Sequence, residues 1–357
     1  MGKYFFVIGM FITVSFQVYA KGDVAGIEAV ISQQAELFLK DERVTSVSIG
    51  VVSNNKSVTG HYGELIRDQG NRPTDQTIYE IGSVSKVVVG LLVAHAVAEG
   101  KLSLDTNVNE YIGNKLNKAS SGASAVTVRQ LLTHTSGFPK GYKDLGLTEE
   151  NVNRENFIKK MNNFDVSPLK GEFHYSSAAI ELLCYLLEQV YQQPFDTLLK
   201  QTLSQDADMS NTQVNLSYPQ MPYFAYGYND KNEIAKSHTT PNKLWGGSGY
   251  IKSTMADLLR FMKLQLQKEQ PIVALSHQRL FDFVDGSGSF AFLWIVAEDE
   301  KLGTFLVHHG GLEGTQNWMF IFPEHDLGIS IISNSSFRKM DRILRDVGWN
   351  IASLLVD

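Results

Sequence analysis

Only one cysteine, Cys184, occurs among the 357 residues, so the chain can close no internal disulfide in any compartment. It sits in the helical pattern AAIELLCYLLEQV and reads as core. Positive charge is also scarce. The 32 Lys and Arg against 38 Asp and Glu give a formal charge of −6, which argues against nucleic acid as a partner, because phosphate binding needs a basic face. Beyond residue 20 no apolar run is long enough to span a membrane, and there is no repeat, linker or low-complexity tract.

At the N-terminus, MGKYFFVIGMFITVSFQVYA has a basic start, an apolar run from Tyr4 to Phe16, and Val18 and Ala20 at the spacing of a signal-peptidase site. The run is about 13 residues where a span needs roughly 20. Residues 1–20 are therefore expected to be a signal peptide cleaved after Ala20, delivering the protein to the periplasm or outside the cell. Cleavage removes Lys3 and brings the formal charge to −7.

Hydrophobic periodicity divides the remainder. Val24 to Leu39 has helical spacing, and VTSVSIGVVSNN and KSVTGHYGEL alternate like two strands around an Asn54-Asn55 turn. Near the other end FAFLWIVA, TFLVHH, NWMFIFP and GISIISNS read as four strands, and RKMDRILRDVGWNIASLLV closes the chain as an amphipathic helix. Between about 76 and 250 the pattern is helix and loop. The expected fold is α/β (α+β): one antiparallel sheet from residues 21–75 and 251–357 covered by N- and C-terminal helices, with a helical region, 76–250, beside it and a site in the cleft between.

The stretch EIGSVSKVVVG, followed by LLVAHAVAEG, puts a lysine in an almost wholly apolar run with a serine one helical turn before it. Ser-x-x-Lys occurs four times: Ser53 to Lys56, Ser83 to Lys86, Ser167 to Lys170 and Ser336 to Lys339. The first is on a hairpin turn, the third contains Pro168, and the fourth opens a charged surface helix. Only Lys86 faces burial. Burial and the positive end of a helix both disfavour an ammonium, so Lys86 is the expected base for a Ser83 nucleophile, whose backbone N–H would form half of an oxyanion hole. The same pair also reads as an N-cap serine and a lysine that reaches out to water.

Phe173-His174-Tyr175-Ser176-Ser177 precedes a long apolar helix. A tyrosine hydroxyl near cations serves as a second acid-base group, although Tyr175 read singly is a core aromatic before it is an acid-base group. Val307-His308-His309-Gly310-Gly311 ends a strand in two glycines, which let a substrate lie close and an N–H point into a cleft; only one of the two histidines can face it. A metal pair would need an HExxH or a carboxylate cluster, and a lipase-type HGG loop a Gly-x-Ser-x-Gly elbow; neither occurs.

YEIGSVSK, LLTHTSGFP, FHYSSAAIELL, GSGYIKSTMADLLRFM and HHGGLEGTQNWMFIFPEHDLGISIISNSS follow one another from residue 79 to residue 336. In these motifs and their order the chain resembles the serine hydrolases of the class C β-lactamase and D-Ala-D-Ala carboxypeptidase family, which includes esterases. The resemblance implies that Ser83 is acylated, Lys86 is its base, and Tyr175 shuttles protons in acylation and deacylation. It puts His308 in the first place of the third motif, with Gly310 and Gly311 after it and the Gly311 N–H as the second oxyanion donor. Two positions depart from the β-lactamase pattern. Tyr-x-Asn is Tyr175-Ser176-Ser177 here, so a hydroxyl replaces the amide that would grip an acylamino group. Lys-Thr-Gly is His308-His309-Gly310, which trades a permanent cation for one about half charged or less near neutral pH.

The sequence thus points to an exported serine hydrolase working without cofactor or metal on a small molecule or peptide, with β-lactam or D-Ala-D-Ala-type amides ahead of esters. The rivals are a carboxylesterase of this fold, a catalytically silent binding protein of this fold, and a metal-dependent hydrolase.

Overall fold

Strand pairing gathers the two ends of the chain into one sheet. In the computed structural model, which describes residues 23–116, 125–239 and 242–356, helix α1 (Val24–Phe38) leads into strands β1 (Ser46–Ser53) and β2 (Lys56–Gly63). Asn54 and Asn55, at φ 48° and 62°, form the turn between them, a left-handed geometry that asparagine tolerates and that suits a tight hairpin. Strand β3 (Ile78–Glu80) precedes helices α2 (Ser85–Ala98), α3 (Val108–Tyr111), α4 (Val128–Leu132), α5 (Arg154–Asn162), α6 (Ser177–Tyr191) and α7 (Phe195–Ala207). Then come β4 (Lys252–Thr254), α8 (Met255–Leu266), α9 (Pro271–Ser276), β5 (Phe281–Asp282), β6 (Ser289–Phe290) and β7 (Ile295–Asp299). Strands β8 (Gly303–Leu312), β9 (Thr315–Phe322) and β10 (Leu327–Ser333) and helix α10 (Met340–Val356) finish the described chain.

Eight strands make a fully antiparallel sheet in the order β2-β1-β10-β9-β8-β7-β6-β5. The chain ends meet at β1 and β10, where Ile49 faces Ile331. The period of two then sorts side chains between two cores: Phe320 and Phe322 pack with α1 and α10, whereas Met319 and Ile321 belong to the core of the helical side. On that second face Gly50 and Gly328 leave room for α8, since a Cβ on them would press on Met255 and Met262. The expected antiparallel sheet with covering terminal helices is the observed one. The expected leader, residues 1–20 with cleavage after Ala20, lies outside the described residues, and no described helix is long and apolar enough to cross a membrane.

Two short features differ from the sequence reading. FAFLWIVA is not one strand: β6 ends at Phe290 and β7 starts at Ile295. Between them Leu293 turns to φ 68° and the Ala291 N–H donates to the Trp294 carbonyl at 2.9 Å. This turn is apolar because it is buried, so hydropathy gives it no mark. The second feature is the ladder of β3 with β4, Glu80 opposite Lys252, whose strands are too short to show alternation.

Helix α2 is buried on every side from Ser85 to Ala94, which makes it the central helix of its region. Its closest neighbour is the buried turn: a Cβ on Gly90 would lie 2.0 Å from the Phe292 carbonyl oxygen. Gly90→Ala is expected to cost about 1–3 kcal/mol through forced separation of the two, read as a lower urea midpoint. An unchanged midpoint would show that the contact yields freely.

Candidate active site

The ladder of β3 with β4 delivers the chain to a short 3-10 turn, Gly82–Val84, at the mouth of α2. Gly82 sits at φ 50°, and a Cβ on it would fall 2.9 Å from the Gly311 nitrogen. Glycine is required here both by the left-handed backbone and by the approach of β8. The contact brings Ser83 beside the end of that strand. As one of the first residues of its turn, Ser83 has an N–H without an acceptor inside the turn, and both Ser83 and Gly311 line a cleft of about 700 Å³.

One turn into the helix, Lys86 is wholly buried. Its Nζ donates to Ser83 Oγ at 2.9 Å and to the Ser248 carbonyl. The alternative of a lysine extending to water is thereby removed. The other three serine-lysine tetrads carry no such arrangement, for Lys56, Ser167 and Lys339 are exposed.

Tyr175 approaches the same oxygen from the opposite wall. Its hydroxyl donates to Ser83 Oγ at 2.8 Å, and its ring centroid is 5.0 Å from Lys86 Nζ. Its position is set by His134 of the LLTHTSGFP segment. The His134 ring lies 4.5 Å from the Tyr175 ring, its Nδ1 accepts from the Ser176 N–H at 3.2 Å, and its carbonyl accepts from the His174 N–H at 2.7 Å. Burial, then the nearby Lys86 and His308, hold the His134 imidazole well below its ordinary range. It is therefore neutral, with Nδ1 free to accept. Ser176 caps α6 by accepting from the Ala179 N–H at 2.9 Å, which leaves Ser177, the first helical residue, in the cleft wall.

The glycine pair divides. Gly311 lines the cleft, while Gly310 is buried, a Cβ there falling 2.2 Å from the Ile81 carbonyl oxygen. His308 also lies behind the wall, 5% exposed, with its Nδ1–H donating to the His309 carbonyl at 2.8 Å. Burial, reinforced by Lys86, pushes its pKa down to about 3. The half-charged cation anticipated at this position is replaced by a neutral imidazole, because desolvation outweighs everything that favours the proton.

Several residues of the site were not singled out in the sequence. Glu181 on α6 is buried in the cleft wall and accepts from three backbone N–H groups of residues 245–248. Glu80, also buried, holds the cleft-lining His238 through its Nδ1 at 2.9 Å and its backbone N–H at 3.0 Å. Lys252 is buried, donates to the Val214 and Tyr250 carbonyls, and is brought down to about 8 by desolvation. The signal that exposed Lys86, a charge inside an apolar run, was present for Glu181 in AAIELLCYLL as well. A serine-histidine-aspartate chain, Ser48-His61-Asp75, is linked elsewhere at 2.8 and 3.0 Å. Ser48 is wholly buried and shares its hydroxyl with Tyr79, so this chain has no access to a substrate. Among the described residues no group of three His, Cys, Asp or Glu is arranged to hold a metal ion.

A serine, a buried lysine and a tyrosine thus share one oxygen at a cleft between the antiparallel sheet and the helices beside it. The family model of beta-lactamases matches residues 27–352, and the chain belongs to the beta-lactamase family. A beta-lactamase from Pseudomonas fluorescens is 26% identical over 89% of this chain and 96% of its own length. Protein flp of Staphylococcus aureus (strain N315) is 23% identical over 88% of this chain, which spans 64% of that relative. Among solved structures, the beta-lactamase/D-alanine carboxypeptidase from Yersinia pestis, complexed with citrate, superposes with a TM-score of 0.81. It is 20% identical, with 93% of this chain and 99% of that one covered. The protein of the same description from Pseudomonas syringae gives 0.79 at 21% identity, covering 92% and 98%. These two likenesses show the fold.

The neutral His308 has a consequence for acid stability. Its folded-state pKa of about 3 lies below the ordinary histidine value of 6.5, so between those limits the unfolded chain binds a proton that the folded chain refuses. Stability is therefore lost as pH falls from 6.5 toward 3, by up to about 1.4 kcal/mol per pH unit for this site. His277, brought down to about 4 by burial, acts in the same direction. Urea midpoints between pH 4 and 7 should show His308→Gln with a shallower dependence than wild type, whatever its absolute stability; identical slopes would mean that His308 is protonated in the fold.

Proposed function

We propose that this protein is an exported serine hydrolase, acylated at Ser83 and deacylated by water, acting on β-lactam or D-Ala-D-Ala-type amide bonds. One observation carries the reading: Lys86 Nζ and Tyr175 OH converge on Ser83 Oγ at 2.9 and 2.8 Å. In acylation Lys86 Nζ takes the Ser83 proton as Oγ attacks the carbonyl carbon, and the N–H groups of Ser83 and Gly311 hold the oxygen that gains charge. When the bond to the leaving group breaks, Tyr175 gives that group a proton and recovers one from Lys86. Water then attacks the Ser83 ester, giving a proton to Tyr175 as Tyr175 passes its own to Lys86, and that proton returns from Lys86 to Oγ as the acid departs. The substrate class follows the beta-lactamase relatives and the beta-lactamase/D-alanine carboxypeptidase neighbours, and export follows the pattern of residues 1–20.

A carboxylesterase is the second reading, favoured by the neutral, buried His308 and by the hydroxyl of Ser177 where an amide would hold an acylamino group. Neither affects acyl-enzyme formation.

A fluorophosphonate should add one phosphonyl group to the tryptic peptide carrying Ser83, and Ser83→Ala should abolish it; label on another serine would overturn the assignment. Lys86→Arg should lose activity nearly as fully as Lys86→Ala, since a guanidinium keeps its proton and cannot be the base. Most activity surviving in the arginine variant would reduce Lys86 to a fixed charge.

The substrate class is tested at Ser177. Ser177→Asn should raise kcat/KM for a penicillin relative to a butyryl ester by roughly fivefold to tenfold, the worth of one added hydrogen bond. An unchanged ratio would remove Ser177 from substrate recognition.

A further inference from the structure

Glu181 lies six residues beyond Tyr175, within the buried face of α6, yet no basic side chain pairs with its carboxylate among the described residues. Its partners are backbone N–H groups: Oε2 accepts from Trp245 and Gly246, each at 2.9 Å, and Oε1 from Ser248 at 3.1 Å. The peptide run 245–248 is thus folded around a carboxylate. A buried carboxylate with three N–H donors is held far more firmly than one facing water, since each charge-assisted bond forms in a site that water does not contest.

That run presents a group the site depends on. The Ser248 carbonyl accepts from Lys86 Nζ, so residue 248 is tied through its N–H to Glu181 and through its C=O to Lys86. Gly247, between the anchored residues, admits no side chain: a Cβ there would lie 2.3 Å from Cys184 Sγ and 2.7 Å from Val89 Cγ2. The loop is clamped between α6 and α2 in the one place where its carbonyl meets the lysine.

We propose that Glu181 is a positioning residue for acylation: its carboxylate shapes residues 245–248 so that the Ser248 carbonyl holds Lys86 Nζ against Ser83. The inference rests on the hydrolase reading above. Apart from Ser83 itself, the Ser248 carbonyl is the one hydrogen-bond partner of Lys86 Nζ among the described residues. Glu181→Gln keeps the volume but turns one acceptor into a donor that faces N–H groups, so at least one of the three bonds is lost.

Saturation kinetics of fluorophosphonate labelling, well below the melting temperature, test this on wild type, Glu181→Gln and Glu188→Gln. Glu188, on the same helix, holds Trp245 Nε1 at 2.6 Å and the Phe195 N–H at 2.9 Å but does not touch Ser248. The expected result for Glu181→Gln is complete labelling of Ser83, slower at saturating probe by roughly 10- to 100-fold, as a misplaced catalytic group gives. Half-saturation should be little changed, and Glu188→Gln should lose thermal stability but label within about twofold of wild type. If wild type is not labelled at Ser83, the hydrolase reading fails and this one with it. If wild type is labelled and Glu181→Gln matches its saturated rate, or both glutamine variants slow equally, Glu181 is merely structural and only this inference falls. Should Glu181→Gln not fold, wild-type amide exchange decides: Trp245, Gly246 and Ser248 should be protected, and rapid exchange there would overturn the proposal.

Discussion

An amine shut away from water must find its partners inside the protein, and Lys86 has two: the Ser83 hydroxyl and the Ser248 carbonyl. The rest of the site is arranged to satisfy it. Because α2 is buried on every side from Ser85 to Ala94, its lysine has no route to solvent along the helix surface. Residues 245–249 must therefore come to it, and they do so folded over the Glu181 carboxylate. Gly82, pressed against the end of β8, sets where Ser83 stands relative to Gly311. The placement of Ser83, the Lys86 amine and the two proposed oxyanion donors thus follows from packing one lysine-bearing helix between a sheet and a second helix.

The neighbouring charges respect the same constraint. A second cation beside Lys86 would have to be desolvated with it, and both imidazoles in the neighbourhood, His134 and His308, are held neutral by burial and by the lysine itself. Their work is done by hydrogen bonds. His134 accepts from the Ser176 N–H and stacks near Tyr175, so the LLTHTSGFP segment orients Tyr175. His308 donates to the next carbonyl in its own strand. The two imidazoles thus add no charge beside Lys86, and the cleft wall at Ser177 offers a hydroxyl.

Much of the fold was legible because its long elements are strongly periodic. β1, β2, β8, β9 and β10 alternate, α1 and α10 repeat at helical spacing, and Asn54-Asn55 marks its own turn. Among the elements that escaped are some with no period to show: the three-residue strands β3 and β4, and the apolar turn that splits FAFLWIVA. In the site, Lys86 was legible because a charge in an apolar run must be compensated. Glu181 gave the same signal from within AAIELLCYLL but had no serine one turn away to suggest a use for it. His134 gave none, since its role depends on Tyr175, 41 positions further along the chain.

By itself, then, the sequence determined an antiparallel sheet joined from both chain ends, the helices that cover it, and a Ser83-Lys86 pair at the head of a buried helix. These follow from local periodicity and the cost of burying charge, which neighbouring residues carry between them. Tertiary structure alone decided that Tyr175 meets Ser83 from the opposite wall, that Gly311 faces the cleft while Gly310 and His308 lie behind it, and that Lys86 is held by a carbonyl more than 160 residues away. Each of these depends on desolvation and distance between segments remote in sequence, quantities that no local pattern encodes.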